Sequence, residues 1–380
     1  MKRNLLLLVI IISYFGSLSQ ESDNFYTIKT NLDMYFDSVI NIYGLENMQG
    51  RDYNPYMRWV DYWQPILYPH GDFVIERQQH EQYISEFISG NITYSYTPFE
   101  LEWNLIGPNS MPEGTQRWAK GLGQIHYIAF DPNDTLYLKM FACSPVGGLW
   151  KSFDGGENWI NAGTDKGLPR CGVSSIAFDP DNSETNWFIS TGNAESMPGR
   201  FLWQNSIGVA RTTDGGGSWE IIGLTNVLRM RKLISTKYQG NVVLLVATTN
   251  GVYVCMDALS AQPQFVKLID GDFYDVEFDP ISFGTAYASG TGLNTSVYSL
   301  DWINSTHEEL QNLEMIPSHE GRRLIIDISP AAPENLFIVA TYWGGPNTSY
   351  LYRYNLPSST LISKGMLPKA DLNEPGVGPE

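Results

Sequence analysis

The spacing of apolar positions changes once along this chain, and the change divides it in two. Between residues 20 and 100, Phe25, Ile28, Leu32, Tyr35, Phe36 and Val39 recur at three- and four-residue steps. That spacing predicts an amphipathic helix, with Ser22 or Asp23 placed to cap it. An aromatic cluster follows (Tyr53, Tyr56, Trp59, Tyr62, Trp63), and Val74 to Ile88 reads as a second helix with Tyr83, Ile84, Phe87 and Ile88 on one face. Large apolar residues in such a stripe are packing surface before they are a ligand box. The segment is expected either to pack on the main body or to be removed as a pro-region.

From residue 101 the apolar runs become short and are punctuated by turn residues, the pattern of strands. Ile125-His-Tyr-Ile-Ala-Phe-Asp-Pro132 recurs as Val173-Ser-Ser-Ile-Ala-Phe-Asp-Pro180, as Phe273-Tyr-Asp-Val-Glu-Phe-Asp-Pro280 and, more loosely, as Leu324-Ile-Ile-Asp-Ile-Ser-Pro330. The residue before each Pro stands at 131, 179, 279 and 329, giving steps of 48, 100 and 50. The double step contains a degenerate unit, Lys232 to Lys237 followed by Val242 to Thr248. Five units of about fifty residues match four-stranded propeller blades. The expected fold is therefore all-β: five propeller units over 101–366, part of a larger ring, after a short helical segment over 20–100. The first unit reads as strands Ile125 to Phe130, Leu136 to Phe141, Gly148 to Ser152 and Trp159 to Asn161.

Two strings, Lys151-Ser-Phe-Asp-Gly-Gly-Glu-Asn-Trp159 and Arg211-Thr-Thr-Asp-Gly-Gly-Gly-Ser-Trp219, share one design. A hydroxyl (Ser152, Thr212) precedes a carboxylate (Asp154, Asp214), then glycines (Gly156, Gly216), then a Trp (Trp159, Trp219) that restarts a strand. A carboxylate that accepts backbone hydrogen bonds in a tight turn needs no other role, so these eight residues are expected to be structural. Asp131 to Asp154 is 23 residues and Asp179 to Asp214 is 35, so twelve extra residues lie around Asn193 to Asn205. In a propeller, the loops joining strands two to three share a face with the links between units. The insertion should therefore project away from the Asp turns, and functional loops on rigid scaffolds are often such insertions.

Composition narrows the partners. Asp and Glu number 41 against 24 Lys and Arg, a formal net charge of −17, which repels polyphosphate and argues against nucleic acid. Lys2 and Arg3, the apolar run Leu5 to Ile12 and Ser17-Leu18-Ser19 read as a signal peptide over 1–19, which predicts a secreted or cell-surface protein. No later apolar stretch approaches the ~20 residues of a membrane span. Cys143, Cys171 and Cys255 cannot all pair; a Cys143 to Cys171 disulfide and three buried thiols both remain open. No metal is expected from the five scattered histidines, and no cofactor. Asp179-Pro-Asp181-Asn182-Ser-Glu184 offers oxygen ligands to calcium but lacks the Gly and terminal Glu spacing of a hand-type loop.

The two Asp-containing strings resemble the Asp-box, or BNR, repeat of sialidases, sortilin-type receptor ectodomains and xyloglucan-degrading glycoside hydrolases. A longer likeness runs through Trp103-Asn-Leu-Ile-Gly-Pro108, Gly123 to Pro132 and Val146-Gly-Gly-Leu-Trp-Lys151, with Tyr56-Met-Arg-Trp59 through Tyr68-Pro-His-Gly71 ahead of it. It is similar to secreted Bacteroidetes proteins with sortilin-like or BNR propellers, clients of type IX secretion. Such proteins continue into a larger propeller and a sorting domain, so 367–380 is expected to be a polar tail at a truncation point, with Trp103-Asn-Leu-Ile-Gly available to close a ring with the last blade.

That resemblance also bears on chemistry. The xyloglucanases carry a catalytic Asp two positions before the first-unit Gly-Gly, where this chain has Pro145. Proline transfers no proton, and glycoside hydrolysis needs two carboxylates. The expected role is a non-catalytic binding or adhesion module for an extracellular glycan or protein. Candidate ligand contacts are Arg117 and Trp118 in the lead-in, Glu195, Arg200, Phe201 and Trp203 in the insertion, and Tyr342 and Trp343 in the fifth unit. The alternative is a glycoside hydrolase using carboxylates such as Glu195 and Asp272.

Overall fold

The computed structural model describes residues 24–45, 48, 53–91, 124–195, 205–291, 296–316, 322–342 and 349–367. The chain divides into two compact units, Met1–Thr93 and Tyr94–Glu380.

In the first unit, α1 (Phe25–Tyr43), α2 (Tyr53–Leu67) and α3 (Phe73–Ile88) surround an aromatic core. Asn24 caps α1: its side-chain oxygen accepts from the Tyr26 and Thr27 N–H groups at 3.0 and 3.3 Å. The expected caps, Ser22 and Asp23, lie outside the described residues. The aromatic cluster forms α2, and its Trp59 and Tyr56 rings sit 4.8 Å from Phe25 and Phe36 respectively. Packing is what these rings do here.

The second unit holds five antiparallel sheets, each a four-stranded meander. The first contains β1 (Tyr127–Phe130), β2 (Met140–Ser144), β3 (Gly148–Ser152) and β4 (Ile160–Asn161). The second contains β5 (Val173–Phe178), β6 (Trp187–Thr191), β7 (Val209–Thr212) and β8 (Glu220–Gly223). The third runs β9 (Met230–Tyr238), β10 (Asn241–Thr248), β11 (Gly251–Cys255) and β12 (Phe265–Ile269). The fourth has β13 (Phe273–Phe278), β14 (Thr285–Gly290), β15 (Val297–Asp301) and β16 (Thr306–Glu309). The fifth has β17 (Arg322–Ile328), β18 (Asn335–Tyr342), β19 (Tyr350–Asn355) and β20 (Thr360–Met366). Among the described residues the last sheet draws all four strands from its own unit; Trp103-Asn-Leu-Ile-Gly lies outside the described residues.

The first strands of successive sheets pack side by side, β1 on β5, β5 on β9, β9 on β13 and β13 on β17. Tyr127 of the first strand feels Lys232 and Glu277 of the third and fourth electrostatically, and Glu277 feels Asp327 of the fifth. Inner strands that share one axis in this way define a β-propeller.

Sheet faces make the core. In β10, Val242, Leu244 and Val246 pack with Ala177, Phe188 and Val209 of the second blade. The alternate residues Val243, Leu245 and Ala247 pack with Val276, Ala286 and Trp302 of the fourth. A strand buried on both faces reads as a continuous apolar run, which is why β10 carries no polar alternation. The first blade differs. Ile128 and Phe130 hold the repeat positions of Ile176 and Phe178, which are 2% and 6% exposed, yet they are 52% and 47% exposed themselves.

The Asp turns join blades as well as strands. Asp154 accepts the Asn158 N–H at 2.9 Å and the Ser152 hydroxyl at 2.7 Å, bonds that hold its carboxyl at about 2. Asp214 repeats this with Ser218 and Thr212. Trp219 then reaches from the second blade to donate its indole N–H to the Ala162 carbonyl of the first at 3.0 Å, and Lys151 donates to the Gly215 carbonyl at 2.9 Å. The second strand of the first blade falls at Met140–Ser144 instead of Leu136 to Phe141. Asp134 causes the shift: its carboxylate accepts from the Leu136, Leu138 and Lys139 N–H groups and folds that stretch into a turn.

Gly163, at a φ of 80°, lies against this joint, and an added Cβ would fall on the Gly216 carbonyl oxygen. Gly163→Ala should destabilise the propeller by about 2 kcal/mol or more. Urea denaturation should show a lower midpoint at unchanged slope; an unaltered midpoint would remove Gly163 from the joint.

Candidate functional site

The insertion is where the spacing placed it, in the β6–β7 connection from Gly192 to Gly208. Glu195 lies near its start, its backbone N–H donating to Asn193 Oδ1 at 2.9 Å. The Glu195 carboxylate pairs with the Arg323 guanidinium, and its charge bears on the Tyr274 hydroxyl. Arg323 and Tyr274 are the second residues of β17 and β13, so one loop side chain meets the mouth of the axis. The Asp turns instead sit against the β1–β2 and β5–β6 turns, with Gly155 and Gly215 donating to the Leu138 and Thr185 carbonyls at 2.9 and 3.0 Å. The two faces are distinct, as the meander requires.

Tyr274 organises the mouth. The Arg231 and Arg323 guanidinium groups both stack on its ring, 5.1 and 5.4 Å from the centroid. Arg231 also bonds Asp272, with Nη2 3.1 and 3.3 Å from the two carboxylate oxygens. Burial lifts the Asp272 carboxyl above the ordinary range, against the pull of Arg231 and Arg229 and with some help from Glu195. Arg231 is 11% exposed, and its Nε and Nη1 are buried without a hydrogen-bond partner among the described residues.

Deeper along the axis, Lys232 stands between two carboxylates. Its Nζ is 2.6 Å from Asp275 Oδ1 and also bonds Glu277. Asp275 accepts the Ile326 N–H at 3.0 Å, which ties β13 to β17. One ammonium thus faces two carboxylates, Asp275 buried and Glu277 partly buried. Burial first, then Asp275, pushes Glu277 up to about 7 while Lys232 opposes the rise.

Among the predicted site residues, Glu195 and Asp272 are brought into one cluster. Arg117, Trp118, Arg200, Phe201, Trp203 and Trp343 lie outside the described residues. Tyr342 ends β18 and pairs with Arg322 in the ladder. No disulfide forms: Cys143, Cys171 and Cys255 are free thiols, and burial pushes all three upward in pKa. The carboxylates of Asp179 and Asp181 hold the Lys237 ammonium, at 2.9 and 3.1 Å, so this turn is built around a lysine.

Sequence reasoning missed Arg231, Tyr274, Arg323 and the axial group. A signal existed for the latter: in the aligned units, Glu277 and Asp327 replace Ala129 and Ala177. A carboxylate where the repeat has alanine marks a position that faces something other than a neighbouring apolar sheet.

No family model and no curated protein matches this chain. Solved structures similar to it are β-propellers. An ancestral GH74 enzyme is 20% identical with a TM-score of 0.49, over 63% of this chain and 31% of that one. YCF48 bound to D1 peptide is 17% identical with a TM-score of 0.43, over 70% and 73%. YCF48 from Cyanidioschyzon merolae is 14% identical with a TM-score of 0.42, over 64% and 71%. This chain thus spans about a third of the length of the GH74 structure. Among the described residues no helix is long and apolar enough to cross a membrane.

A folded-state carboxyl raised from 4.5 to about 7 binds its proton more tightly than the unfolded chain does. Its contribution to stability is complete below pH 4.5 and is lost as pH rises through 7. Relative to Glu277→Gln, the wild-type denaturation midpoint should therefore fall between pH 5 and 8. Parallel profiles for the two proteins would show that Glu277 carries no such proton.

Proposed function

We propose that this chain is a secreted, non-catalytic β-propeller module that binds an extracellular glycan or protein at its axial mouth. One observation carries the reading: Arg231, Arg323, Tyr274, Asp272 and Glu195 converge where the inner strands begin, on the face that bears the long insertion. Guanidinium groups fixed on an aromatic ring lose little freedom when they engage a ligand. Secretion is supported by the leader-like residues 1–19, and an Asp-box kinship by the matched geometry of the Asp154 and Asp214 turns.

A hydrolytic role draws on one feature, the placing of Asp272, with its raised carboxyl, in the same cluster as Glu195. Against it, both carboxylates are engaged by guanidinium partners, and Pro145 stands where the xyloglucanase family carries its Asp.

Purified protein screened on glycan and peptide arrays should retain a ligand, and Arg231→Ala should weaken that retention by about tenfold or more. Incubation with xyloglucan should give no products. Turnover that disappears in Glu195→Gln would overturn the binding role.

A further inference from the structure

We propose that Glu195 is a resident stand-in for the ligand: its carboxylate occupies the Arg323 and Tyr274 anchor, and a peptide segment bearing a carboxylate binds by displacing it. The inference rests on the axial mouth being the binding site.

Glu195 belongs to a loop, while both partners of its carboxylate belong to inner strands of other blades. A single side chain thus bridges the insertion to the rim. The bridge is accessible, with the Glu195 side chain 27% and the Arg323 side chain 35% exposed. Ion pairs in contact with water contribute little net stability, so an arriving carboxylate that takes the same place against Arg323 and Tyr274 exchanges with Glu195 at small cost. Beside them, Arg231 feels the Glu195 charge and keeps two buried nitrogens without acceptors among the described residues. Buried donors left unpaired in a native structure call for an explanation, and an acceptor delivered by a ligand supplies one.

Charge selects the class of ligand. The chain as a whole carries −17, which disfavours a polyanionic glycan. Asp272, with its side chain 45% exposed, stays at the mouth after Glu195 leaves and repels a second negative group close to the first. A peptide places a cationic side chain or backbone N–H groups within a residue or two of its carboxylate and satisfies both signs. A uronic-acid chain repeats only the anion.

The test uses an array of short peptides in pairs that differ only by Glu or Gln, or by Asp or Asn, with oligogalacturonate as a second arm. Glu195→Ala should tighten binding of the acidic members by about tenfold, because the anchor no longer has to be vacated. The amide members should not change, and the gain should vanish in the double variant with Arg323→Ala. Glu195→Gln keeps the side-chain volume and should move the same way by less, which preserves the test if the alanine variant folds poorly. Unchanged or weaker binding in both Glu195 variants, while Arg231→Ala still weakens wild-type binding, would overturn the stand-in role and leave the mouth as the site. A gain confined to oligogalacturonate would overturn the peptide assignment. Indifference of every interaction to Arg231→Ala would remove the mouth itself.

Discussion

A four-stranded meander has two faces and can cover neither alone. Everything else in the propeller follows from that constraint. The third blade shows the solution most clearly: successive residues of β10 belong to two different cores, one shared with the blade before and one with the blade after. Stability in such an array is a sum over neighbouring interfaces. The Asp turns serve the same end, since Trp219 and Lys151 carry hydrogen bonds from one blade to a backbone carbonyl of another. The half-exposed Ile128 and Phe130 mark the one sheet face where the repeat's own apolar positions go without a covering blade among the described residues.

Packing blades around an axis brings together strand ends that are remote in sequence. Groups there cannot all be apolar, because the wedge between inner strands narrows and leaves backbone polar groups to satisfy. Asp275 meets this need by accepting an N–H from β17 while holding Lys232 from β9. The excess carboxylate, Glu277, answers with a raised proton affinity. At the mouth the balance is different: two guanidinium groups share one tyrosine ring, and each is answered by a carboxylate that water can reach. The axial interior is thus a fixed electrostatic stitch, and the rim is an exchangeable one.

The period of the Asp-Pro and Asp-Gly-Gly strings determined the number of blades and their order, because each string is a local turn whose chemistry is complete within a few residues. The same strings placed the insertion on the face opposite the Asp turns. Local competition limited this legibility: Asp134 folded a stretch that reads as strand into a turn, and Asn24, not an earlier residue, supplied the cap of α1.

The site needed the tertiary structure. Glu195 and Asp272 could be named from the chain as carboxylates in loops, but nothing in their spacing showed that they would meet. Arg231, Tyr274 and Arg323 come from three different units and look like ordinary strand-opening residues in each. Their convergence arises from rotating one repeated unit about an axis, and that rotation is set by the packing of whole sheet faces. Sequence alone determined the turns and the repeat; only the packing of successive blades decided which side chains share the axial mouth, because that proximity is a property of the packed faces and of no single unit.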